Sequence, residues 1–154
     1  MKRILNANTH STATDIALLM ARTGIAILML THGIPKLLML ISGAPIQFPS
    51  VMGLSAELSL TLAVFAEVIC SIFLLAGFAT RLAAIPLAIT MIVAAFLVHA
   101  ADPFARQEPA LQYLLVYLIL LFAGSGKYSI DYWLQKKALK PAYLNRSADL
   151  INAS

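Results

Sequence analysis

Five ionisable side chains, Arg22, His32, Lys36, Glu67 and His99, lie within stretches that are otherwise apolar. On insertion scales a charged group at the centre of a bilayer costs about 3 kcal/mol, so each must be paired, hydrated or put to use. On a regular helix successive residues turn by about 100°, which brings Arg22, His32 and Lys36 to one side of the first apolar segment together with the small Gly33. Lipid offers neither hydrogen bonds nor counterions, so this stripe must face other helices or a lined pocket. His32 and Lys36, one turn apart, could bind an anion or polarise a carbonyl oxygen. Their bland alternatives are a histidine bonded to a backbone carbonyl and a lysine snorkelling to the headgroups.

Glu67 lies near the middle of the second apolar segment. Arg22 is the leading cation for it, either as a structural Arg22–Glu67 ion pair or beside a proton-accepting carboxylate at a pocket floor. Glu57, His99 and Asp102 are expected at about the depth of His32 and Lys36. Catalytic candidates are therefore His32, Lys36, Glu67 and His99. A bound aromatic head group would meet His32, Lys36, Glu57, Tyr113 and Tyr117, although Tyr113 serves equally as an interface anchor. Bis-histidine haem is disfavoured: both intramembrane histidines lie near one face and no CxxCH sequence accompanies them.

The elements that must position these residues follow from composition. The chain has 154 residues, 60% hydrophobic and only 12% charged, with mean hydropathy +0.85. That leaves too little polar surface for a soluble globule and leads to an all-α, integral membrane four-helix bundle in contact with lipid. Spans are expected at about 16–41, 57–78, 82–101 and 110–124. Thr14 or Asp15 should cap the first, Gly77 stop the second, Thr80 cap the third, and Pro109 open the fourth. The short 79–81 link makes spans two and three a hairpin. Residues 43–56 carry Pro45, Phe48, Pro49, Val51, Met52 and Leu54, too apolar for a solvated loop, and are expected against the membrane surface.

The membrane unit is thus 16–126, preceded by a polar tail at 1–15. No cleaved signal peptide is read there, because the residues after Lys2 and Arg3 are polar. A segment at 127–154 comes next, with a short interfacial helix around Ile130, Trp133 and Leu134. With four spans, Lys2, Arg3, Arg81, Lys127, Lys136, Lys137, Lys140 and Arg146 share one side against Lys36 and Arg106, so both termini should be cytoplasmic, in a bacterial inner membrane. The net charge of +4 comes from these flanks, with no interleaved basic and aromatic surface, so nucleic acid is not an expected partner. The single Cys70 forms no internal disulfide or CxxC pair, and no metal site is expected.

Four linked features resemble the DoxX family: Arg22 followed by Thr-His-Gly-Ile-Pro-Lys-Leu (31–37), Glu67 with Leu-Leu-Ala-Gly-Phe-Ala-Thr-Arg-Leu-Ala-Ala (74–84), Met91, and Gly-Ser-Gly-Lys-Tyr-Ser-Ile-Asp (124–131). Arg22, His32, Gly33, Lys36, Glu67, Arg81, Gly124, Gly126 and Asp131 match the family pattern, with Pro35 and Ser125 as local variations. The resemblance implies a small bacterial four-helix membrane protein. The family takes its name from a subunit of a thiosulfate:quinone oxidoreductase, and some relatives act beside superoxide dismutase or sulfur-transfer proteins in redox stress. It therefore implies a quinone-linked oxidoreductase subunit whose electrons come from a partner subunit. The reading from another class is a non-enzymatic membrane scaffold or small-solute carrier, in which the same polar residues hold the bundle together or line a passage. Four helices are few enough that a homo- or hetero-oligomer is expected.

Overall fold

A computed structural model describes residues 12–138, which contain helices and no strand. The helices are α1, Thr12–Ile41; α2, Ala56–Ala76; α3, Thr80–Val98; α4, Phe104–Ala123; and α5, helical from 130 to the last described residue, 138. The first three are long and apolar enough to cross a membrane. α4 has a span's length, but Arg106, Gln107, Glu108 and Gln112 in its first half dilute its hydropathy. It starts at Phe104 rather than at Pro109, which lies inside the helix. The packing is that of a membrane bundle. Small residues such as Ala26, Ala84 and Ala95 are fully buried where helices meet, while Ile27, Ile72, Ile85, Phe96 and Phe122 point outward.

The α2–α3 hairpin forms as its sequence dictates. Gly77 takes left-handed backbone (φ 68°), its N–H donates to the Leu74 carbonyl and that of Phe78 to the Phe73 carbonyl, each at 3.0 Å. The Phe73 and Phe78 rings close the motif edge to face at 5.5 Å. α3 is capped differently from expectation. Thr80 is its first helical residue, and the cap comes from Asp131, whose Oδ1 accepts from the Ala79 N–H (2.7 Å) and Oδ2 from the Thr80 N–H (3.0 Å). A carboxylate at a helix start satisfies orphan donors and complements the helix dipole, and here it also docks the C-terminal segment on the hairpin.

Three more contacts fasten that end. Asp15 lies within α1 rather than capping it, buried, with Oδ1 accepting from the Lys127 N–H and Oδ2 paired with Lys127 Nζ, both at 3.1 Å. Arg81 donates to the Phe122 carbonyl (3.1 Å). Arg22 donates to the Tyr128 carbonyl (2.7 Å), its guanidinium lying where a side chain on Gly77 would be. Ser129 caps α5, accepting from the Tyr132 N–H. Asp15, Arg22, Gly77, Arg81 and Asp131 are thus fastening residues at one end of the bundle.

Candidate functional site

The other end is built around Glu67. A continuous α2 passes through a π-helical stretch, Phe65–Cys70, that carries Glu67, and α3 ends in a second, Ala94–Val98, immediately before His99. Each such stretch re-aims the side chains beyond it, and the two flank one cavity. Gly33 brings α1 against the first: a Cβ there would stand 2.8 Å from Val68 Cγ2 and 3.0 Å from the Glu67 backbone carbon and Cβ. Gly33→Val should therefore pry α1 from α2 at this level and lower stability by about 1–3 kcal/mol. Reversible unfolding in mixed micelles, with exposed Gly24→Val as the control, measures it; equal effects at both positions would refute the close approach.

Lys36, one turn beyond Gly33, donates from Nζ to Glu67 Oε1. The carboxylate is 2% exposed and the lysine 29%. The structure corrects the expected Arg22–Glu67 pair. Gly33 marks the depth of Glu67 on α1, and Arg22 lies eleven residues (33 − 22) before it, about 16 Å along the helix. Helical side chains tilt toward the N-terminus, which carries Arg22 away from Glu67 and brings Lys36 back to it.

The pair lies on a cavity of about 380 Å³. Its walls are mostly apolar, from Leu62 and Ala63 of α2, Ile89 and Val93 of α3, and Phe48 and Met52 of the 43–55 segment; Ser59, Thr90 and His99 add polar atoms. That segment does more than lie on a membrane surface. Ile46 and Phe48 pack against the cluster of Leu60, Val64 and Val68, and the Val51 N–H donates to Ser59 Oγ (3.2 Å). Its turn closes with the Leu54 N–H donating to the Val51 carbonyl, through left-handed Met52 and Gly53. Phe48 also presents its ring to Lys36 Nζ at 5.9 Å.

On the rim His99 Nδ1 pairs with Asp102 Oδ2 at 2.7 Å, and the exposed Arg106 guanidinium stands 3.7 Å from the same oxygen. The His99 hydrogen bond, with help from the Arg106 charge, holds the Asp102 carboxyl below its ordinary value. A depressed folded-state value means that this contribution to stability is present above the unfolded aspartate value and is lost as pH falls through the folded one. A carboxyl ¹³C NMR titration should place Asp102 below a model aspartate and move it upward in His99→Gln; an unmoved midpoint would show that the pair does not form.

The structure therefore brings Lys36, Glu67 and His99 to one cavity. Glu57 is exposed in the first turn of α2 and does not line it. Nor do His32, Tyr113 or Tyr117. His32 is exposed and meets Tyr113 edge to face at 5.8 Å, and Tyr113 stands 6.2 Å from fully buried Tyr117, in an α1–α4 contact outside the cavity lining. An aromatic ligand in the cavity is thus flanked by Phe48 rather than by the tyrosines. Among the described residues no three His, Cys, Asp or Glu side chains form a metal-binding group.

The DoxX family profile matches residues 17–100, more than half of the chain, which includes Lys36, Glu67 and His99. The chain belongs to the DoxX family. An uncharacterized protein of Haemophilus influenzae is 32% identical to this DoxX chain over 117 residues, covering 71% of the chain and 84% of the relative. No solved structure matches it. The match places it among multi-pass membrane proteins, in keeping with its three long apolar helices.

Proposed function

We propose that this DoxX protein is the quinone-interacting membrane subunit of an oxidoreductase and takes its electrons from a partner protein. The observation that carries the reading is a cation–carboxylate pair, half-buried Lys36 with buried Glu67, on the wall of a mostly apolar cavity of about 380 Å³. Such sites bind mostly apolar ligands and use a few placed polar groups to orient them. A quinone ring suits the Phe48, Leu62, Ile89 and Val93 walls. Lys36 is a donor for a carbonyl oxygen on which negative charge develops, and His99 at the rim is a proton donor. A quinone bound there would supply the electron-accepting chemistry, and the chain would orient it, with the Lys36 charge at a carbonyl oxygen and His99 as proton donor.

The charge asymmetry of Lys and Arg supports an inner-membrane location with both termini cytoplasmic. The Asp15, Arg22 and Asp131 end would then face the cytoplasm and the His99 rim the opposite side. Isothermal titration of the micellar protein with decylubiquinone tests the binding step. Lys36→Met should weaken binding at least tenfold, whereas His32→Ala, outside the cavity, should leave it within about twofold. Equal loss in both variants, or no binding to the unaltered protein, contradicts the reading. The scaffold alternative is favoured by one feature, that Lys36–Glu67 joins α1 to α2; it expects no saturable quinone binding.

A further inference from the structure

The 99–107 turn is more elaborate than a connection between two helices requires. The His99 N–H donates to the Ala94 carbonyl (3.0 Å), closing the π-helical turn, and its own carbonyl accepts from the Asp102 N–H (3.0 Å) and from Gln107 Nε2 (2.9 Å). Gln107 Nε2 also reaches the Asp102 carbonyl (3.3 Å), and the Arg106 N–H donates to that of Pro103 (2.8 Å). Backbone and side chain together hold His99 and Asp102 in one orientation. Asp102 accepts at His99 Nδ1, so neutral His99 keeps its proton on Nδ1 and a bare lone pair on Nε2, and protonated His99 carries its transferable proton on Nε2.

The two acid–base groups of the cavity differ in access. Glu67 is closed in and engaged by Lys36, whereas the His99 and Asp102 side chains are 36% and 32% exposed. The charged and titratable groups around His99 are Asp102 on its own turn, Arg106 on α4, and Lys36 and Glu67 across the cavity. His99 is thus the more open of the two groups.

We propose that His99 and Asp102 are the proton-exchange pair of this cavity, with Asp102 the positioning residue that presents His99 Nε2 to the bound ligand and His99 refilled from water at the rim. The proposal rests on the quinone reading for the ligand. Reduction of the bound quinone to a quinol takes two electrons from a redox centre of the partner protein and two protons; for the first of these protons the Nε2–H bond breaks as the O–H bond forms, and His99, once refilled, gives the second. His99 is left neutral with Nδ1–H on Asp102, and a proton from water restores Nε2–H. Asp102 stays ionised throughout and never receives the proton.

The test is ¹⁵N NMR of side-chain-labelled histidine in the micellar protein, in the unaltered chain and in Asp102→Asn and Asp102→Glu, with and without decylubiquinone. Neutral His99 should hold its proton on Nδ1, lose that preference in Asp102→Asn and regain it in Asp102→Glu. Saturating decylubiquinone should shift Nε2 and leave Nδ1 nearly unmoved, and Asp102→Asn should bind it within about threefold of the unaltered protein. A proton on Nε2 in the unaltered protein, or a quinone complex that leaves Nε2 unmoved, overturns the proposal. If decylubiquinone does not bind at all, the quinone reading fails, and the tautomer still decides whether Asp102 positions His99. His99→Gln identifies the signals, and amide spectra report whether Asp102→Asn remains folded.

Discussion

Replacing Lys36 by methionine is expected to destabilise the bundle by about 3–5 kcal/mol, because it leaves the Glu67 carboxylate buried with its cation gone. The group that remains determines the cost. An unpaired ionised carboxylate at 2% exposure must be neutralised by a proton or open the helix contact to water. Replacing both residues, Lys36→Met with Glu67→Met, should recover most of the loss, since two apolar side chains of similar volume remove the desolvation penalty with the pair. Quinone binding should not return with stability. This double cycle, read by unfolding in mixed micelles and by titration with decylubiquinone, separates what the pair does for packing from what it does for a ligand. Full stability in Lys36→Met, or binding restored in the double variant, contradicts the assignment. The same cycle on Arg22 and Glu67 should show no recovery, because Arg22 engages Tyr128 and packs on Gly77.

The second large effect is at the opposite end. A Cβ added at Gly77 would stand 1.5 Å from Arg22 Nη1 and 2.7 Å from Ser129 Cβ, on a backbone at φ 68° that alanine adopts at a cost of about 1–2 kcal/mol. Gly77→Ala must expel a guanidinium that is 2% exposed, and with it the Tyr128 contact that holds the C-terminal segment. The expected loss is about 3 kcal/mol or more. Gly24→Ala, where a Cβ meets nothing within 4 Å, should be neutral or stabilising. Protease accessibility of the segment after Gly126 should rise in Gly77→Ala alone; an unaffected segment would show that Arg22 does not fasten it.

The helical class and the hairpin were legible because hydropathy and Gly77 act locally. The bilayer demands runs of apolar residues, and a glycine followed by an aromatic one turn past Phe73 stops a helix wherever it occurs. Helix ends were less legible. α1 is under way by Thr12, among polar residues, and one of them, Asp15, pairs with Lys127 of the C-terminal segment that folds back on it. The α3 cap comes from Asp131, fifty-one residues away, so no local pattern announces it.

The site was legible in kind and misplaced in part. Lys36, Glu67 and His99 stand out because ionisable groups are expensive in an apolar run, and a His-x-x-Asp spacing is itself a pairing signal. Counting residues from assumed span ends pairs Arg22 with Glu67 but misjudges depth, which Gly33 against Glu67 fixes directly. Depth points to His32, and i, i+4 spacing on one helix points to Tyr113 and Tyr117 as stacking partners, but neither signal fixes which way those side chains face. The π-helical stretches at Phe65–Cys70 and Ala94–Val98 rotate the helix beyond them, and no residue type marks them in advance. The wall made by Phe48 and Met52 depends on residues 43–55 folding over the bundle, a tertiary event that their apolar character only hinted at.

A membrane quinone held in the Lys36–Glu67 cavity should leave the native membrane together with the protein. The most direct measurement is to purify the protein from its native membrane in mild detergent beside the Lys36→Met, Glu67→Met double variant, and to quantify extracted quinone by mass spectrometry with an absorption spectrum of each sample. Near-stoichiometric quinone is expected in the unaltered protein and a background level in the folded double variant. Equal quinone in both, or folded protein from native membrane with no quinone, contradicts the claim.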